Sequence, residues 1–122
     1  KWHLACTPKR YQLSTAQYNR DWQAEELADL VFLESTTDMM IMHSVPMYDT
    51  HWDGLVSNEK GAYLKHHYPD RVLWYGALDV FRPLPQIRAQ ADQLVAQGAD
   101  GIKLYPTRIN PETDASEGWL MN

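Results

Sequence analysis

Ala24, Leu27, Ala28 and Val31 recur at helical spacing and share one face, with Glu25 and Glu26 in the first turn, where the helix dipole favours negative charge. This pattern predicts a helix capped by Asp21 and running to about Leu33 or Glu34. After the polar connector 35–38, the continuous apolar run Met39-Met40-Ile41-Met42 predicts a short strand buried on both faces. A long loop, 47–56, separates it from a weakly patterned helix over 57–68, which Pro69-Asp70 closes. A second strand is predicted over 72–79. Pro83 and Pro85 then suit the first turn of a helix whose buried stripe is Ile87, Ala91, Leu94 and Val95, and Gly98 fits its C′ position. In the third predicted strand Ile102 and Leu104 alternate with Lys103 and Tyr105 before Pro106. Residues 1–20 show no clear period and are expected to form an irregular arm; residues 107–122 are expected to be a loop-like extension of the same segment.

Helix and strand thus alternate three times, at the spacing of βαβ units, and such units build parallel sheets with right-handed crossovers. The fold class is α/β. Three parallel strands alone leave two edges unpaired and one face bare, so the 122-residue chain is expected to be part of a larger sheet or to associate.

Composition narrows the function. The chain is 44% hydrophobic and 22% charged, as in globular domains. Its formal charge of -5, with no basic run, excludes a nucleic-acid partner. No apolar stretch approaches the ~20 residues of a membrane span. A single cysteine, Cys6, rules out an internal disulfide framework and suits a reducing compartment, so a cytoplasmic location is expected. The chain has no G-x-G-x-x-G, P-loop, G-x-S-x-G or C-x-x-C motif, which weakens nucleotide-binding, serine-hydrolase and thioredoxin readings.

The candidate chemistry lies at the C-terminal ends of the predicted strands, where α/β enzymes place their sites. His43 ends the first strand, Asp79 the second, and Lys103 and Tyr105 the third. Asp79 is read either as a site residue or as a cap of the turn that follows it. Lys103 is read either as binding an anionic substrate group or as pairing with a neighbouring carboxylate, and the site-lining reading is preferred because burying a lysine is otherwise costly. Alternation places Ile102 and Leu104 against the preceding helix and Lys103 and Tyr105 on the opposite face. His43, Asp49, His51 and Asp53 offer nitrogen and oxygen ligands, but their spacing matches no metal motif, and solvated loop residues are the simpler reading. His66 and His67 fall at a helix end, where they compensate the dipole.

Three segments carry a family resemblance. Glu34-Ser35-Thr36-Thr37-Asp38-Met39-Met40-Ile41-Met42-His43-Ser44-Val45-Pro46 resembles the second-strand region of the amidohydrolase-related (β/α)8-barrel proteins. Tyr68-Pro69-Asp70-Arg71-Val72 resembles the entry to the next strand, and Gly98-Ala99-Asp100-Gly101-Ile102-Lys103-Leu104-Tyr105-Pro106 resembles the family's GxxGIKLYP segment. The likeness covers about Asp21 to Pro106. It implies a partial TIM barrel whose three strands correspond to strands 2 to 4 of eight.

The family comprises metal-dependent hydrolases and non-oxidative decarboxylases acting on small carboxylated or aromatic compounds. Its metal is held by an H-x-H pair on the first strand, histidines on later strands and an aspartate on the last. This chain contains no H-x-H, so the resemblance implies a divalent metal, zinc or a similar ion, bound by residues outside it. Some relatives use a modified lysine on the fourth strand as a metal bridge, a role not expected in the subgroup this chain resembles. By resemblance His43, Asp79, Lys103 and Tyr105 bind substrate, catalytic residues are unassigned, and the segment alone is expected to be inactive. Its partners would be a small-molecule substrate and either the remaining barrel segments or further copies of the chain. Two alternatives stand beside this: a small α/β domain that binds a ligand or protein without catalysis, and a non-enzymatic piece that lends strands to a partner.

Overall fold

Three parallel strands form the centre of the protein: β1 (Met40–His43), β2 (Val72–Ala77) and β3 (Gly101–Lys103), side by side in chain order. The computed structural model describes residues 5–48, 51–109 and 116–118, with 107–109 and 116–118 described by backbone alone. Helices precede or connect the central strands: α1 (Thr15–Tyr18), α2 (Ala24–Phe32), α3 (Asn58–His67) and α4 (Leu84–Ala96). The predicted α/β class and the parallel sheet are both present.

The three longer helices pack on one face of this sheet. Ala28 of α2, Leu64 of α3 and Leu94 of α4 share a buried cluster with Val72 and Trp74 of β2. Trp74 is 0% exposed, and its indole lies where a side chain on Gly61 of α3 would otherwise project. Its Nε1 donates to the buried Ser44 Oγ at 3.0 Å, and that hydroxyl donates to Ser57 O at 3.1 Å, so the core's polar atoms are satisfied. Ser57 in turn caps α3 by accepting from Lys60 N.

Side chains complete the ladder of β2 at both ends. Beside its N-terminal half, Asp100 Oδ2 accepts from Trp74 N at 2.9 Å, while Lys65 Nζ pairs with Asp100 and donates to Val72 O at 3.1 Å. At its C-terminal end, where β1 has already turned away toward Pro46, the Asn58 amide bonds both backbone groups of Ala77. An extended strand thereby keeps its polar groups paired beyond the reach of its neighbours.

Several expectations need correction. The cap of α2 is Gln23, which forms a capping box with Glu26; Asp21 instead pairs with Lys60 of α3. The arm contains a 3-10 turn (Lys9–Tyr11) and the single helical turn α1, whose cap is Ser14. The first strand is not buried on both faces, because Ile41 points away from the helices and is 53% exposed. The second strand stops at Ala77 rather than Asp79, and the third at Lys103, which leaves Leu104 and Tyr105 beyond it. On α4, Val95 is 70% exposed, and Gln90 takes its place beside Ile87, Ala91 and Leu94 on the inward side. Gly98 holds φ +86°, the left-handed C′ conformation predicted for it. Ile102 does not bury against α4, since Leu94 seats over Gly76 of β2 and leaves the edge strand half-covered. Finally, 107–122 is not wholly loop: β4 (Thr107–Ile109) and β5 (Ser116–Gly118) pair antiparallel.

Candidate functional site

The face of the sheet opposite α2, α3 and α4 is set by strand alternation. Val72, Trp74 and Gly76 point to the helices, which directs Leu73, Tyr75 and Ala77 the other way. Parallel register then aligns Ile41 with Leu73, His43 with Tyr75 and Gly101, and Lys103 with Ala77. This second face carries the polar and aromatic groups nearest the C-terminal rim. The His43 and Tyr75 rings lie 5.0 Å apart and tilted, and the Tyr75 ring also approaches Gly101, where a Cβ would stand 3.0 Å from it. Tyr75 was visible to sequence reasoning only as a strand centre. The signal that marks it is its position in register with His43.

Lys103 closes β3 and Tyr105 lies just beyond it; the Lys103 ammonium stands 4.9 Å from the centre of the Tyr105 ring. That contact, between partly exposed groups, contributes about 0.5–1 kcal/mol and orients the ammonium. Asp79 is engaged by its own turn. Its Oδ1 accepts from Phe81 N at 3.1 Å and its Oδ2 pairs with Arg82 Nε at 2.9 Å, the arrangement of an aspartate that caps a turn. His43 is coupled to Tyr75, Lys103 to Tyr105 and Asp79 to Arg82, as three separate pairs along one rim.

Among the described residues, two cavities stand near this rim. The larger, about 800 Å³, lies between α2, the end of β1 and the loop that follows. Met42, Leu27, Leu30 and Val56 form apolar walls, and His43 and Lys60 stand at its border. Lys60 is held by Asp21, whose carboxyl it keeps below the usual aspartate range. The smaller cavity, about 400 Å³, lies between α3 and α4. There Asn58 and Gln90 converge on Ala77 O, Gln90 Oε1 accepts from Asp79 N at 3.1 Å, and Gln90 Nε2 reaches Tyr48 Oη at 3.4 Å. Burial pushes the Tyr48 phenol above its ordinary pKa, so it stays protonated as a donor. None of Tyr48, Asn58 and Gln90 was singled out as functional from sequence, because polar residues in helices and loops read as surface until the strand end they complete is known.

Among the described residues no three of His, Cys, Asp and Glu converge as metal ligands. Of the four loop and strand-end candidates, Asp49 lies outside the described residues, and His43, His51 and Asp53 form no such group. Residues 1–122 therefore offer no fit for the family's metal within their described part. His67 Nδ1 lies 2.9 Å from Tyr63 O and its ring stacks on Tyr63, while Cys6 is exposed. No helix of the described residues is long and apolar enough to cross a membrane. Comparison with protein families, with curated proteins and with solved structures finds no match to this chain.

Proposed function

We propose that the chain is part of a (β/α)8-barrel enzyme of the amidohydrolase kind, a metal-dependent hydrolase or non-oxidative decarboxylase for a small carboxylated or aromatic substrate. The observation that carries this reading is the winding of the sheet. Strand order follows chain order, and all three longer helices lie on one face. In a doubly wound sheet the order reverses and helices cover both faces. A singly wound sheet leaves one face bare, and a barrel is the arrangement that turns that face inward. His43, Tyr75 and Lys103 project from it near the rim.

In this reading the chain's own residues bind and orient. The Lys103 ammonium holds a substrate carboxylate as a point charge, Tyr105 adds a directional hydrogen bond, and the His43–Tyr75 pair walls the substrate. The metal, held by residues outside this segment, would supply the activated water or the polarised carboxylate. The test uses the complete gene product. About one divalent ion per chain by mass spectrometry, with chelator-sensitive decarboxylation of small aromatic carboxylates or hydrolysis of small aromatic esters or lactones, is the expected result. A complete protein that binds no metal and turns over neither class would overturn the proposal and favour the binding-domain alternative.

A further inference from the structure

The cavity between α3 and α4 is not on the sheet's bare face, and its chemistry differs from that of the rim. One wall is Trp52, 89% exposed among the described residues. An indole left so open is the informative exception among surface residues, since aromatic side chains of this size usually lie against something. The floor is rigid and polar: Tyr48, Asn58 and Gln90 are fixed by their bonds to Ala77 and to one another. Glu59, Gln93 and Gln97 also line the space, and their side chains enter no hydrogen bond or ion pair among the described residues. Among the described residues no lysine, arginine or histidine lines the space.

We propose that this cavity is a saccharide-binding site, taking a neutral mono- or disaccharide. A pyranose presents a patch of C–H bonds on one face, which the electron-rich indole face accepts, and a rim of vicinal hydroxyls around its edge. Each hydroxyl both donates and accepts. Planar amides offer both functions and carboxylates accept strongly, and Gln93, Gln97 and Glu59 combine two amides with one carboxylate. The absence of cationic side chains from the lining disfavours a phosphate or carboxylate ligand. The volume of about 400 Å³ lies at the small end of small-molecule sites, which run from ~300 to ~1,000 Å³. The site is separate from the barrel reading and stands without it.

Saturation-transfer NMR of the protein with D-glucose, D-galactose, N-acetylglucosamine and cellobiose tests the proposal. At least one of these is expected to bind saturably in the millimolar range, with a shift of the Trp52 indole resonance. Trp52→Ala, which removes an exposed side chain and leaves the core intact, should weaken that binding by about tenfold or more, and Trp52→Phe should restore part of it. Gln93→Ala should weaken it as well. Four silent sugars, or equal binding by Trp52→Ala, would overturn the assignment. So would a site that takes spermidine and no sugar, which would make Asp53 and Glu59 the anchors of a polycation instead.

Discussion

The side-chain amide of Asn58 occupies the place of a strand residue beside Ala77: its Oδ1 accepts from Ala77 N at 2.7 Å and its Nδ2 donates to Ala77 O at 3.0 Å. β1 ends at His43, in register with Tyr75 and two positions short of Ala77, and one asparagine at the start of α3 fills the gap. The same contact ties the helix layer to the sheet at the rim where Asp79 and Tyr48 sit. Asn58→Ala strands the buried Ala77 N–H and leaves Ala77 O to its longer bonds from Gln90 and Tyr48. It should cost about 2 kcal/mol in urea denaturation, the scale expected for unsatisfied buried polar groups. Asn58→Asp keeps the acceptor for Ala77 N but sets a carboxylate oxygen against Ala77 O, so it should be no milder than the alanine variant.

Gly61 and Trp74 are an equally specific pair. An alanine Cβ at 61 would stand 2.0 Å from the Trp74 indole nitrogen, which is wholly buried and bonded to Ser44. Helix propensity alone favours Gly61→Ala by about 1 kcal/mol. Overpacking of a rigid ring opposes it by about 1–3 kcal/mol and should prevail, since the indole cannot withdraw without breaking the Ser44 bond. The expected result is a lowered Tm. In a Trp74→Phe background the penalty should shrink, and the non-additivity of the double mutant measures the contact. A stabilised Gly61→Ala protein would show that the indole has room to move.

Much of the fold was legible in the chain, and the reasons are local. The 24, 27, 28 periodicity, the continuous 39–42 run and the Gly98 helix stop each reflect one element's own geometry, so they needed no neighbour to be read. What failed depended on partners. Ile41 and Ile102 read as core, but helices cover only one face and sit over β2, which leaves both exposed. Asn58, Lys65 and Asp100 gave no signal, because their role is to pair backbone atoms of a strand far away in sequence. The site divides in the same way. Lys103 and Tyr105 were found because they are two residues apart at the end of β3, whereas the His43–Tyr75 pair depends on inter-strand register.

Asp100 makes acid stability a test of the lower end of the sheet. The Trp74 N–H, and then Lys65, hold its carboxyl below the ordinary aspartate value of 3.8. A carboxylate with a depressed native pKa contributes stability that is fully present above the unfolded value and lost as pH falls through the native one. Wild-type stability should therefore drop below about pH 4 more steeply than that of Asp100→Asn, which keeps an acceptor for Trp74 N but cannot titrate. Above pH 5 the variant should be the less stable, having lost the charge of the Lys65 pair. Parallel acid limbs in urea titrations from pH 2 to 6 would mean that Asp100 contributes nothing to the acid sensitivity.

Lys103 separates a binding role from a structural one. Its ammonium stands over Tyr105 and in register with Ala77, on the face that the barrel reading turns inward. In the complete enzyme, Lys103→Met keeps the length of the side chain and removes the charge. It should lower kcat/KM by about 10²-fold, or roughly 2.7 kcal/mol of lost transition-state stabilisation. Metal content should be unchanged, because Lys103 is placed as a substrate contact and not as a ligand. Tyr105→Phe should have a smaller effect, removing one hydrogen bond while leaving the ring beneath the ammonium. Loss of metal from Lys103→Met would instead make the lysine a bridge between ions. Unchanged kinetics with a lowered Tm would make its contact with Tyr105 a brace for the end of β3, with no part in binding.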